Sequence, residues 1–266
     1  MYKDYFGFRD KPFSKTPDPR FLFLSRGHEE ALARLEFVVE EREIAVLTGE
    51  IGCGKTTLSR ALMDRLGSAY RFCYIVNPRL NPIDFLRTTA RLLDVEVPAA
   101  TKDGLLEQIN NAVYQSCQRG ICPVLVVDEG QVIDNAEVFD EIRLLTNFQF
   151  DHQNMLAILI LGQPELRGML ATPRFEPLRQ RISLHYHLQP LTLEETMEYL
   201  DFRLETAGGA SGLFTPDAVQ RIFELTGGVP RKINSMATNA LLVAYGTDAA
   251  LIDSAIINEI KDELMM

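Results

Sequence analysis

No stretch of the chain reaches the roughly twenty consecutive apolar residues that a membrane-spanning helix needs, and the opening Met1-Tyr2-Lys3-Asp4-Tyr5 lacks the charged-then-apolar order of a secretory leader. The expectation is a soluble protein that works in the cytoplasm. Cysteine is sparse. Cys53, Cys73, Cys117 and Cys122 form no C-x-x-C pair and have no histidines at zinc spacing, so neither a zinc module nor a disulfide scaffold is indicated and reduced thiols are expected. Positive charge is in deficit, with 27 Lys and Arg against 37 Asp and Glu, a net charge of −10 and a pI near 5.0. That balance argues against a polybasic protein whose affinity comes from neutralising phosphates at large, and leaves room only for a local basic stripe. Internal repeats and low-complexity tracts are missing as well. What remains, 46% apolar and 24% charged over 266 residues, is the composition of a folded chain with room for one α/β domain and a smaller companion.

The most informative stretch is Gly49-Glu50-Ile51-Gly52-Cys53-Gly54-Lys55-Thr56, between the apolar run Ile44-Ala45-Val46-Leu47 and a helical pattern beginning at Thr57. It matches G-x-x-x-x-G-K-[ST] at every position. Glycines let such a loop curl until successive backbone N–H groups share one concavity, and the following helix adds the positive end of its dipole. The concavity suits phosphate. Lys55 supplies a mobile charge for the outer phosphates, and the Thr56 hydroxyl is a hard oxygen ligand for magnesium. Cys53 sits near a helix start, where a thiolate is favoured, against the simpler reading of a variable loop position.

Around this loop the periodicity alternates between strand and helix. Residues 1–25 are rich in aromatics and proline, too apolar for water and too interrupted for a long helix. They are expected to lie extended across a domain surface, with walling of a base pocket as an open role. An amphipathic helix follows from Ser25, and His28 at its start either touches a base or only decorates the helix. Strands are expected at 44–47, 70–76, 123–127, 155–161 and 182–188, and helices at 82–93, 103–118 and 137–148. The run Val124-Leu125-Val126-Val127 has the continuous apolarity of a strand buried on both faces of a parallel sheet. It ends in Asp128-Glu129, and ligands of open α/β sheets gather at the carboxyl ends of strands. Asp128 suits magnesium, directly or through water, and Glu129 suits polarising an attacking water. Gln163, just after another buried strand, is placed to reach between these acids and a terminal phosphate. Arg174, Arg179 and Arg181 cluster before the last strand, where a planar guanidinium from a neighbouring subunit would stabilise charge on a transferred phosphoryl group.

From Pro190 onward only helical periodicity remains, at 193–205, 216–225, 231–245 and 253–264, so 190–266 is expected to be a separate all-helical domain beside a nucleotide-binding domain over 1–189. Thr215 before Pro216 has the pattern of an N-cap and first-turn proline. Arg231 opens the third of these helices, where a positive charge opposes the dipole and therefore points to another partner such as phosphate.

Several strings are more selective than the phosphate loop. They are Phe6-Gly7-Phe8 with Pro12-Phe13 and Thr16-Pro17-Asp18-Pro19, then Leu144-Leu145-Thr146-Asn147, Leu161-Gly162-Gln163-Pro164-Glu165-Leu166, Leu178-Arg179-Gln180-Arg181-Ile182, and Gly227-Gly228-Val229-Pro230-Arg231-Lys232-Ile233-Asn234. With them the chain resembles an AAA+ ATPase, and more narrowly the GspA/ExeA/MshM group of bacterial secretion and pilus-biogenesis ATPases. The resemblance implies a P-loop NTPase with a five-stranded parallel sheet flanked by helices and a C-terminal helical lid, using ATP and Mg2+. Position by position it puts Lys55 and Thr56 in Walker A, Asp128 and Glu129 in Walker B, Gln163 at sensor 1, Arg231 at sensor 2, and Arg179 or Arg181 as the finger acting in trans. Nucleotide contacts are then Gly49, Glu50, Ile51, Gly52, Cys53, Gly54, Lys55, Thr56, Thr57 and Arg231, and the metal contacts are Thr56 and Asp128. The implied partners are further copies of the chain, in a ring or filament with nucleotide at the subunit border, and envelope secretion or pilus components. Contact with the inner membrane would be peripheral. Longer members continue into a membrane span and a peptidoglycan-binding module; this chain stops at Met266 and resembles the short, pilus-associated kind. The same architecture resembles transposition ATPases that form filaments on DNA, and the acidic pI weighs against that rival. A small-molecule kinase would share the loop without needing the lid arginine, and a nucleotide-gated scaffold would bind ATP and scarcely turn it over.

Overall fold

The computed structural model describes residues 2–14, 18–150 and 153–263. Thr16 and Pro17 of the selective strings, and Leu264 at the end of the last expected helix, lie outside these residues. The chain divides into two compact units, one of His28–Gly49 and Leu58–Leu188, the other of Met1–Gly27, Glu50–Thr57 and Gln189–Met266.

The first unit is built on five parallel strands, β1 (Ile44–Gly49), β2 (Tyr70–Ile75), β3 (Cys122–Val127), β4 (Ala157–Gly162) and β5 (Ile182–Leu188), in spatial order β2-β3-β4-β1-β5. The three central strands are buried at every position, which is why they read as largely apolar runs, whereas at the edges β2 mixes half-buried and buried residues and β5 has exposed ones as well. Register places Val46 beside Ile160, Ile160 beside Val127, and Val127 beside Ile75. The carboxyl ends of β1, β3 and β4 therefore emerge along one edge of the sheet. One face carries a core of Val46, Leu125, Ile158 and Ile160 with Phe85, Ile109 and Phe139. The helices of this unit are α1 (Arg26–Glu40), α2 (Lys55–Leu66), α3 (Pro82–Leu92), α4 (Lys102–Gln118), α5 (Glu137–Leu145) and α6 (Pro164–Leu170), of which α1 and α2 begin in the other unit. Capping explains two starts: Asn81 accepts from the Asp84 N–H at 2.9 Å, and Thr101 from the Gly104 N–H at 3.3 Å.

The second unit holds α7 (Leu193–Thr206), α8 (Pro216–Thr226), α9 (Pro230–Gly246) and α10 (Ser254–Glu263). Thr215 does precede the first-turn proline of α8, but its hydroxyl donates to the Ile252 carbonyl at 3.0 Å and makes no cap bond. The aromatic N-terminal segment, grouped by sequence with the sheet and expected on a surface, packs into this helical core instead. Phe8, Phe13 and Phe21 are buried there with Leu200, Leu204, Phe214 and Ile233. Each buried ring is worth about 2 kcal/mol of transfer free energy, so the segment is part of what makes this small helical unit stable. Arg203 of α7 fastens it, donating to the carbonyls of Pro12 at 2.6 Å, Phe21 at 3.4 Å and Ser14 at 3.4 Å.

Candidate functional site

β1 ends at Gly49, and the loop that follows turns into α2 at Lys55. Gly52 and Gly54 have φ of 88° and 102°, in the left-handed region where a side chain would strain the backbone. Gly52 has a second reason to lack a Cβ, since that atom would lie 2.5 Å from the Cβ of Arg231. The Arg231 N–H, at the start of α9, donates to the Gly52 carbonyl at 3.3 Å. The loop and the exposed Arg231 thus meet within one unit, although more than 170 residues of sequence lie between them. Lys55 is buried, and its Nζ donates to the Glu50 carbonyl at 3.0 Å, so the ammonium is folded back over its own loop. Glu50 and Ile51 are exposed, while Thr56 and Thr57 at the helix start are half-buried. Cys53 is fully buried, and burial pushes its thiol up from its ordinary value. That is the opposite of an activated thiolate and favours the reading of Cys53 as a packing residue.

A second group of candidate residues lies in the sheet unit, at the carboxyl edge of the sheet. Asp128 is buried; its N–H donates to the Ile75 carbonyl at 2.9 Å and its Oδ1 accepts the Glu129 N–H at 2.9 Å. Glu129 sits at φ 55°, ψ 40°, a left-handed conformation that costs a non-glycine residue about 1 kcal/mol. What it gains is aim. Glu129 Oε2 accepts from Gln163 Nε2 at 3.2 Å and from Gln131 Nε2, and Gln131 Oε1 in turn accepts the Gln163 N–H at 3.0 Å. The carboxylate is held by neutral amide donors, with no arginine or lysine on it among the described residues, so it keeps acceptor capacity for a water. Gln131 was not picked out by the sequence reading. The available signal was an amide two residues beyond the acid in Asp128-Glu129-Gly130-Gln131.

The arginines lie elsewhere. β5 pairs with β1 so that Ile182 matches Ile44 and Leu188 matches Gly49. Arg179 and Arg181 precede Ile182 and therefore sit at the amino edge of the sheet, about 20 Å along the strand from the edge carrying Gly49, Asp128 and Gln163. Arg174 is ion-paired with Asp140 at 2.5 Å. Arg179 is paired with Glu176 at 3.3 Å and donates to the Ala171 carbonyl at 3.0 Å. Arg181 donates to the Thr146 hydroxyl at 3.3 Å and has no carboxylate within ion-pair reach among the described residues.

Among the described residues no three His, Cys, Asp or Glu side chains gather as a metal cluster, and no helix is long and apolar enough to cross a membrane. Thr56 and Asp128 each offer a hard oxygen of the kind that magnesium takes.

Comparison with known proteins agrees with this geometry. The family described as an AAA domain matches residues 39–170. General secretion pathway protein A of Aeromonas hydrophila is 37% identical over 249 residues, covering 92% of this chain and 45% of that protein. An uncharacterized HTH-type transcriptional regulator of Methanocaldococcus jannaschii is 28% identical over 141 residues, covering 50% of this chain and 34% of that protein. The chain thus spans less than half the length of the curated relatives it matches. Among solved structures, Cdc6p from Pyrobaculum aerophilum aligns with a TM-score of 0.68 at 20% identity, covering 91% of this chain and 68% of that one. The ORC1 protein of Aeropyrum pernix, solved in complex with DNA, aligns with a TM-score of 0.70 at 19% identity, covering 96% of this chain and 69% of that one. These likenesses concern the fold. The AAA-domain match and the 37% identity to general secretion pathway protein A, together with the phosphate loop and the sheet order, make this chain a member of the AAA+ P-loop ATPases, in the group that contains general secretion pathway protein A.

Proposed function

We propose that the protein binds and hydrolyses ATP and couples that turnover to self-assembly within a bacterial envelope secretion or pilus machine. The carrying observation is Glu129, whose backbone is left-handed and whose carboxylate is held by the amides of Gln131 and Gln163, with no cation paired to it among the described residues. A carboxylate so held orients a water and accepts its proton as the water attacks the terminal phosphate. Lys55 leaves the Glu50 carbonyl to meet the outer phosphates, the loop N–H groups take the inner ones, and Gln163 and Arg231 contact the terminal phosphate from their two helices. Thr56 and Asp128 are the residues that would hold magnesium, which would supply charge neutralisation at the phosphates.

The remaining cation comes from a neighbour. Arg179 and Arg181 lie just before Ile182, at the opposite end of β5 from the residue paired with Gly49, and suit the nucleotide of an adjoining copy, which makes a ring or filament the working form. The protein acts in the cytoplasm, with peripheral contact at the inner membrane through envelope components. Duplex DNA as the assembly platform is the rival reading, and the net charge of −10 weighs against it.

The test is the Glu129→Gln variant. It is expected to bind ATP as the parent does, to lose about a hundred- to a thousandfold in hydrolysis, and to accumulate as a larger species with ATP and magnesium, measured by light scattering. Unchanged hydrolysis would leave a nucleotide-gated scaffold. Tight, salt-sensitive binding to long duplex DNA would replace the secretion reading with the transposition-type one.

A further inference from the structure

Within the helical unit a series of main-chain hydrogen bonds leads away from the phosphate loop. The Gly52 carbonyl accepts the Arg231 N–H at 3.3 Å, at the start of α9. Two residues before that helix, the Gly228 carbonyl accepts the Leu191 N–H at 2.9 Å. The approach there is so close that a Cβ on Gly228 would lie 2.0 Å from the Leu191 carbonyl oxygen, and Gly228 takes φ +73°. Pro230, with fixed φ and no N–H, stiffens the link between the two contacts. Next to Leu191, the Thr192 N–H donates to Glu195 Oε2 at 2.9 Å, and the Glu195 N–H donates back to Thr192 Oγ1 at 3.1 Å, a capping box for α7. The other oxygen, Glu195 Oε1, accepts the Arg26 N–H at 3.2 Å, at the start of α1. One carboxylate therefore serves two helix N-termini, and the second of them continues back into the buried aromatic segment through Ser25, Phe23 and Phe21.

We propose that Glu195 is a positioning residue through which occupancy of the phosphate cradle is felt by the N-terminal segment. The inference rests on the ATP-binding reading and adds a regulatory consequence to it. Phosphates draw the loop N–H groups inward and fix the loop carbonyls outward, which orders Gly52 and with it the start of α9. Each later step is a short, nearly rigid contact, and Glu195 is the side chain that carries the order from the start of α7 to the Arg26 N–H, while Arg203 holds the same segment from further along α7. Coupling of this kind is reciprocal: whatever factor nucleotide adds to the docking of the segment, the docked segment adds to nucleotide affinity.

The experiment uses the full chain with ADP and magnesium, which occupy the cradle without turnover. Affinity is read by titration with a fluorescent ADP, and docking by hydrogen exchange of the amides in 18–27. In the parent, ADP is expected to slow that exchange by about fivefold, in the range that one helix cap is worth. Glu195→Ala is expected to abolish the slowing and to weaken ADP binding by the same factor. Thr192→Ala removes the cap on α7 but leaves both N–H bonds to Glu195, and is expected to retain the slowing. Should the alanine variant fail to fold, Glu195→Gln decides, because its one carbonyl oxygen serves only one of the two N–H groups: a reduced slowing upholds the proposal and an undiminished one overturns it. Persistence of the slowing in Glu195→Ala overturns it, as does parent protein that binds ADP without any slowing. Absence of ADP binding in the parent overturns the ATP-binding reading and the proposal together.

Discussion

Glu129 in the sheet unit and Arg203 in the helical unit are both charges held by neutral dipoles, and the contrast between them separates chemistry from architecture. Glu129 is half-buried and accepts from the amides of Gln131 and Gln163, with lone pairs left over. Arg203 is buried and spends its donors on the carbonyls of Pro12, Phe21 and Ser14 and on the Tyr199 hydroxyl at 3.3 Å, while its guanidinium lies 4.9 Å from the Phe21 ring centre and 5.6 Å from that of Tyr199. Carbonyls and ring faces stabilise the cation, and little of it is left to address a ligand. A charge with spare valence beside an open edge is a reagent; a charge with its valence used is a clamp. Arg181 belongs nearer the first kind, being exposed and tied only to the Thr146 hydroxyl.

The largest expected effect follows from that last distinction. Arg181→Ala should lower ATP hydrolysis by about three powers of ten, whereas Arg174→Ala, which loses only the ion pair to Asp140, should stay within about twofold of the parent. On the proposal that the finger serves a neighbour, mixing Arg181→Ala with Lys55→Ala should restore activity that neither has alone. Random pairing at equal amounts makes on the order of a quarter of the borders competent. A steady-state ATPase assay of the mixture reads this directly, and no recovery would place the finger elsewhere.

Arg203→Met keeps the bulk of the clamp and removes its donors, leaving buried carbonyls unsatisfied. The expected loss is about 3 kcal/mol of stability, or a fall of about 8 °C in Tm, with ATP hydrolysis nearly unchanged in the cold. If hydrolysis fell as far as in Glu129→Gln, the division between reagent and clamp would be wrong. Gln131→Ala is milder. It removes one of two amides on Glu129 and should cost about tenfold in kcat with little change in KM, since the carboxylate remains but its aim is loosened.

How legible these features were depended on the distance over which each is encoded. The phosphate loop is a contiguous string in which every residue has a local task, and the acids after Val127 are marked by the apolar run before them. The sheet was readable because β1, β3 and β4 are buried on both faces, which leaves Thr48, near the end of β1, as their one hydroxyl. Gln131 escaped because one amide in a turn has no periodicity; only folding shows it lying between Glu129 and Gln163. The docking of residues 1–27 was hidden for a related reason. Phe8, Phe13 and Phe21 are apolar at irregular spacing, which predicts burial without naming the surface, and their partners are about 200 residues away. The capping box of Thr192 and Glu195 was present as T-x-x-E and could have been read; its second duty to Arg26 could not.

The smallest effect tests the same contrast with a charge that is exposed. Asp217, in the first turn of α8, accepts the Ser254 N–H at 3.0 Å at the start of α10. Hydrogen bonds from the Ser254 and Thr215 side chains, with that backbone bond behind them, hold its carboxyl well below the ordinary value of 3.8, at about 2. Its folded pKa is depressed, so its contribution to stability is fully present above the unfolded value and is lost as pH falls from about 4 through about 2. The parent should therefore lose stability relative to Asp217→Asn across that window, with the two acid-unfolding curves drawing together as Asp217 protonates. Water screens this bond as it does not screen those of Arg203, so the difference in midpoint should be small, and a shift as large as that of Arg203→Met would mean that exposure does not govern how strongly neutral dipoles hold a charge in this protein.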